Sequence, residues 1–234
     1  MSTGQENPHK PGKGGNGSYE DEDYVPGEDD FADEPERPRG PLSIFPSPIH
    51  CIPAIILLML FYAATVIYGG YPEREYLWIS GNSIFKDREY WRLVTALFTH
   101  SDFSHLVSNA LIFFVFGWML KAYFGLRAFP FTSIAIGMIT NAMTVFFYAP
   151  GTKLVGASGM AYGMVSLWLV FYIHNDTYYS LPARIFRAAG FALIMMFPTS
   201  FEPQVSYLSH AAGFITGLFA GLILVKFIPV RDPS

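Results

Sequence analysis

From about residue 50 onward, long apolar blocks alternate with short polar connections. The blocks fall near 50–69, 104–120, 128–148, 156–175, 184–200 and 206–227. Each is close to the roughly 20 apolar residues that a helix needs to cross the hydrocarbon layer. The pattern predicts an all-α membrane protein with six transmembrane helices. No Asp, Glu, Lys or Arg lies within 104–120, 128–148, 156–175 or 206–225. The fifth block is the weakest, because Arg184 and Arg187 stand at its start and Pro198 closes it. The long connection at about 70–103 carries charges of both signs with several Tyr and Trp, which predicts a partly folded, membrane-interfacial first loop.

Residues 1–45 follow a different pattern. They are rich in Gly, Pro, Asp and Glu with little to bury, and predict a disordered tail. A helical membrane domain is expected over 46–229, followed by a short C-terminal tail at 230–234. Composition agrees: 51% of residues are hydrophobic, 15% are charged and the mean hydropathy is +0.29, whereas soluble domains carry about 25% charged residues. The formal net charge of -4 belongs to the tail, which has ten acidic and no basic residues between Glu20 and Glu36. From Arg37 onward there are 13 Lys and Arg against 8 Asp and Glu. A single cysteine, Cys51, excludes an intrachain disulfide. The first apolar run begins near residue 50, so no secretory signal is expected, and the first span is taken as the insertion signal.

Basic residues in short connections mark the cytoplasmic side. Lys121 and Arg127, Arg184 and Arg187, and Lys226 and Arg231 flank the second connection, the fourth connection and the C-terminal end. The N-terminus is therefore expected in the cytoplasm of a multi-pass protein of the plasma membrane. Spans two, four and six then run from outside to inside.

The polar groups left inside these spans are informative, because such groups are costly in hydrocarbon and mark function by default. His105 and Asn109 lie early in span two, Ser158 early in span four and His210 early in span six, so all four are expected at one shallow depth. Asn141, in span three, has no evident partner in the sequence. His105 and Asn109 are i and i+4, on one helical face. Gly159 and Gly163 on span four, with Gly213, Gly217 and Gly221 on span six, offer small residues at the spacing that lets membrane helices approach closely. Such an approach would bring Ser158 within the 2.6–3.2 Å that hydrogen bonding to His210 requires.

A serine hydroxyl becomes a nucleophile only when a base takes its proton. His210 is the base on the packed helix, and no intramembrane carboxylate stands by to complete a triad, which favours a Ser–His dyad. Tyr162, four residues after Ser158, could stack on His210. His105, Asn109 and the Ser158 backbone N–H would supply donors for an oxyanion.

These residues fall in motifs that resemble the rhomboid family. Tyr90-Trp91-Arg92, the HxxxN of His105 to Asn109, the GxSG of Gly156 to Gly159 and the HxxGxxxG of His210 to Gly217 occur in the family's order across about 50–228. The resemblance implies a six-helix rhomboid-like bundle and an intramembrane serine endopeptidase. It assigns Ser158 as nucleophile, His210 as general base, Tyr162 as the ring packed on the histidine, His105 and Asn109 as oxyanion donors, and Gly156 as the glycine opening the serine motif. It implies single-pass transmembrane proteins as substrates, cut near the outer face, within the lipid bilayer. No cofactor, metal or nucleic acid is implied.

Each residue alone has a plainer reading. The glycines suit packing, and Trp91-Arg92 reads as a structural anchor of the first loop. His100 and His174 read as interfacial and structural. A metalloprotease would need a run such as HExxH, which is absent from the sequence, and a transporter would need a polar path through the midplane. The nearest rival is a non-catalytic rhomboid-like protein that binds membrane clients.

Overall fold

The computed structural model describes residues 40–67, 72–196 and 205–234. The expected tail, apart from its last six residues, lies outside the described residues, as do Pro198 and the end of the fifth block. Among the described residues the protein is all helical, with one isolated bridge between Ile79 and Leu154. The helices are α1 (Ile52–Tyr62), α2 (Arg92–Phe98), α3 (Phe103–Leu126), α4 (Ser133–Phe147), α5 (Ser158–Asn175), α6 (Leu181–Met196) and α7 (Tyr207–Leu224). Among the described residues, three helical segments are long and apolar enough to cross a membrane: Pro48–Val66, Phe103–Phe147 and Tyr207–Leu224. The protein is an integral membrane protein.

The middle segment is 45 residues long, about twice what one crossing needs at 1.5 Å per residue. It is broken at Gly125 (φ 75°) and at Phe129 (φ −137°, ψ 127°), which separates α3 from α4. The sequence pattern ends the second span at residue 120, before Lys121. The helix instead runs on to Leu126, because Tyr123 and Phe124 pack on Trp168 and Phe171 of α5.

α5 matches α7 in length, at 18 residues, but is less apolar than a lipid-facing span, and its position explains why. Twelve of its 18 residues are buried, on every side of the helix, as expected of a helix surrounded by others. It is wrapped by α3, α4, α6 and α7, so its Gly, Ser and Ala serve close packing. α6 starts at Leu181, ahead of Arg184, because the Arg184 Nη1 donates to the Ile173 carbonyl at 2.6 Å and closes the end of α5.

The first connection is organised around Arg92, which is buried. Its Nη1 donates to the carbonyls of Glu75 (2.9 Å) and Trp78 (2.8 Å), and its Nε lies 2.6 Å from the Glu89 carboxylate. The guanidinium also sits 4.8 Å from the Trp91 ring centre. Asn141, with no evident partner in the sequence, has one in the fold: its Nδ2 donates to the Leu93 carbonyl at 3.0 Å, tying α4 to α2. That partner lies 48 positions away, beyond the reach of any local pattern.

Candidate active site

The site begins where α5 meets α7. A Cβ on Gly213 would strike the Gly159 carbonyl, and one on Gly217 would strike the Gly163 carbonyl. The two backbones are therefore in direct contact along both glycine pairs, as small residues permit. Gly159 also faces Ser209, whose Oγ would be 2.6 Å from an added Cβ. Ser158 and His210 are the sequence neighbours of this touching pair, so the packing carries both side chains to the same level.

α7 starts where it does because Ser206 caps it. The Ser206 Oγ accepts from the Ser209 N–H at 3.1 Å and is 3.2 Å from the Tyr148 hydroxyl at the end of α4. Ser158 is the first residue of α5, and no side chain caps that helix end. Its first-turn N–H groups have no intrahelical acceptor, and the helix dipole leaves them partly positive.

Ser158, His210, His105, Asn109 and Gly156 line one cavity of about 240 Å³. Tyr162 lies behind it, its ring stacked on His210 at 4.2 Å between centres and 11° between planes. Among the described residues, no hydrogen bond joins the Ser158 hydroxyl to His210. The ring's attitude is set by Tyr162, and hydrogen bonds of this kind are often long until substrate closes them. Asn109 differs from the expected free donor: its Nδ2 donates to the His105 carbonyl at 2.9 Å, leaving one N–H of the amide for other partners. Gly156 has φ +110°, and an added Cβ would stand 3.0 Å from His105 Cε1. Both its backbone angle and the nearby imidazole require glycine there. Among the described residues no group of three or more His, Cys, Asp or Glu is arranged to hold a metal ion.

A family model for the Rhomboid domain matches residues 87–227, more than half of the sequence. The chain belongs to the rhomboid family. It is 25% identical over 143 residues to RHOMBOID-like protein 5 of Arabidopsis thaliana, covering 61% of this chain and 46% of that protein. It is 24% identical over 185 residues to the putative rhomboid protease YdcA of Bacillus subtilis, covering 76% and 92%. To the rhomboid protease GlpG of Haemophilus influenzae it is 28% identical over 144 residues, covering 59% and 71%. The chain spans about half the length of the Arabidopsis relative.

In this rhomboid chain, several residues left outside the site by the sequence pattern support the cavity, among them His100, read there as interfacial and structural. His100 is buried, with its Nε2 3.4 Å from the Ala157 nitrogen and its Nδ1 3.4 Å from Thr65 Oγ1. It therefore sits directly behind the loop that delivers Ser158. Burial, and secondarily the neighbouring His105, push its pKa down to about 3, against a smaller opposing pull from Asp102. Asp102 caps α3 by accepting from the His105 N–H at 2.9 Å, and the Ser101 Oγ lies 3.1 Å from His105 Nδ1. The backbone N–H of His105 and the Ser101 hydroxyl hold the Asp102 carboxylate below its usual range. The serine loop is fixed from the other side by the Ile79–Leu154 bridge, the Gly156 N–H to Ala96 carbonyl bond (2.9 Å) and the Lys153–Glu75 ion pair (2.5 Å). The spacing Ser101-Asp102-x-x-His105 is a helix N-cap pattern and was the one local signal available for this group.

Proposed function

We propose that this rhomboid chain is an intramembrane serine endopeptidase that cuts single-pass transmembrane proteins near the outer membrane face through a Ser158–His210 dyad. The observation that carries the reading is the meeting of Ser158, His210, His105 and Asn109, from three non-consecutive helices, around one cavity. Relatives of this chain are named rhomboid proteases.

In the reaction, His210 takes the proton of Ser158 as its Oγ bonds to the scissile carbonyl carbon. The carbonyl oxygen becomes an oxyanion, met by the Ser158 N–H at the uncapped start of α5, the second Asn109 N–H and His105. Such donors act most strongly where water is excluded. Collapse of the intermediate breaks the C–N bond, and His210 returns its proton to the departing amine. Water, deprotonated by His210, then releases the acyl group from Ser158. Tyr162 keeps the imidazole in one plane through this cycle, a task that an Asp performs in a triad.

The topology belonging to this reading has six crossings within 46–229, an interfacial first loop and a cytoplasmic N-terminal tail in the plasma membrane. The membrane substrate and the bilayer are then the only partners the chemistry needs.

The test is cleavage of a single-pass membrane substrate by purified wild type and Ser158→Ala, with fluorophosphonate labelling in parallel. Wild type is expected to cut and to label, and the variant to do neither while melting at the same temperature. Cutting by Ser158→Ala would sink the assignment, and silence of both folded proteins would favour client binding without cleavage.

A further inference from the structure

A second recess, of about 480 Å³, opens between α3, α5 and α6, within the size range of small-molecule sites. Its walls are apolar, built from Phe116 and Met119 of α3, Trp168 and Leu169 of α5, and Phe191 of α6. Tyr172, Tyr179 and Arg187 form its polar rim. Trp168 and Tyr172 belong to the far half of the helix that Ser158 opens. The recess therefore sits toward the opposite end of the bundle from the catalytic cavity.

The recess exists because α6 is lightly seated. Only Ala188 of this helix is buried, and a Cβ on Gly190 would meet open space. Phe191 reaches the Phe116 ring across the gap, with centres 6.0 Å apart. In a bilayer, an apolar slot of this kind is filled by hydrocarbon.

The rim adds a charge preference. Arg184 is committed to the Ile173 carbonyl. Arg187, one turn further on, has no carboxylate within ion-pair distance among the described residues, and its guanidinium lies over the Tyr179 ring at 4.0 Å. The same ends of α3, α5, α6 and α7 carry Lys121, Arg127, Lys226 and Arg231, against Asp176 and Asp232. Arg187 is engaged by the Tyr179 side chain and feels Asp176 nearby. Its five N–H donors exceed what one tyrosine can take, and a planar guanidinium is suited to a phosphate. Basic pockets between membrane helices select anionic headgroups.

We propose that this recess binds one anionic phospholipid, with an acyl chain between α3 and α6 and its phosphate on Arg187 at the tyrosine-lined rim. A zwitterionic lipid can fill the slot equally well but brings no net charge to the arginine. Occupancy would brace α6, the helix with least packing of its own, from the lipid side.

The test is native mass spectrometry of the purified full chain, given equal amounts of phosphatidylglycerol and phosphatidylcholine of the same acyl composition. Wild type is expected to retain one phosphatidylglycerol in preference to phosphatidylcholine by about five-fold, the weight of one cationic residue at an anionic surface. Arg187→Gln should bring the two lipids level, and Arg187→Lys should keep most of the preference. Ala188→Trp, which fills the slot, should lose both adducts. Arg187 is exposed, so its variants are expected to fold and decide the matter even if Ala188→Trp does not. Equal retention of both lipids by wild type, or an undiminished preference in Arg187→Gln, overturns the proposal.

Discussion

The Tyr162 ring lies flat against His210, with centres 4.2 Å apart and planes 11° apart, while Tyr207 meets the same imidazole edge-on at 6.0 Å and 79°. The histidine is held between a tyrosine of α5 and one of its own helix. Stacking of this kind contributes about 0.5–1.5 kcal/mol beyond area burial and fixes the plane of the ring. Tyr162→Phe keeps the ring and is expected to retain most of kcat/KM. Tyr162→Ala is expected to lower it at least about ten-fold, the equivalent of about 1.4 kcal/mol. Steady-state cleavage with matched melting curves separates the two; equal loss in both variants would place the importance on the hydroxyl.

Gly213 and Gly190 should respond oppositely to alanine. At Gly213 the added methyl meets the Gly159 backbone, which cannot swing aside, whereas at Gly190 it meets nothing within 4 Å. Gly213→Ala should cost about 1–3 kcal/mol or more and reduce activity with it. Gly190→Ala should be neutral or stabilising by up to about 1 kcal/mol, from helix propensity. Thermal melts in detergent check both, and an unchanged melt for Gly213→Ala would refute the backbone contact of α5 and α7.

Asn109 contributes one N–H to its own helix and has one to offer the cavity. Asn109→Ala is expected to lower kcat by about 10²-fold, as for removal of one oxyanion donor, with KM little changed. A rise in KM at constant kcat would instead mean uniform substrate binding.

Arg92 joins Glu75, Trp78 and Glu89 through a forked guanidinium. A lysine ammonium cannot span that set, so Arg92→Lys should fall between wild type and Arg92→Ala, with the alanine costing about 3 kcal/mol. Limited proteolysis within 72–91 should quicken in the same order. Identical behaviour of Lys and wild type would mean that charge alone holds the loop.

His100 makes stability depend on pH. Its native pKa is about 3, against about 6.5 in an unfolded chain. Between these values the unfolded state binds a proton that the native state refuses, so stability falls as pH drops through 6.5. From pH 7.5 to 5 the loss from this group is about 2 kcal/mol. The titratable groups facing it are His105 and Asp102; Phe61 and Thr65 pack from the first span, and the Ala157 nitrogen from the serine loop. Chemical-denaturation curves of wild type and His100→Asn over this range should diverge at neutral pH and converge toward pH 5. Parallel curves would show that His100 does not carry the effect.

The helices were legible because hydrocarbon imposes a length and an apolar composition that local sequence alone can display. Ser158, His105, Asn109 and His210 were legible for the same reason, since a polar group inside an apolar block is conspicuous. His100 was not, because it stands in a connection where a histidine is unremarkable. Its burial comes from Phe61 and Thr65, 35 or more positions earlier. The role of Asn141 depends likewise on a carbonyl of α2.

By itself, then, the sequence determined the helical blocks, the serine and histidine at their helix starts, the glycine rows and the basic residues flanking the second and fourth connections and the C-terminal end. All of these are local consequences of spacing and solvent. The tertiary structure decided which neighbours those residues meet: the flat contact of Tyr162 with His210, the Arg92 hub, the loop behind Ser158 and the open slot beside Arg187. Each needs two segments far apart in the chain to arrive at one place, and only the packing of α5 against its neighbours brings them there.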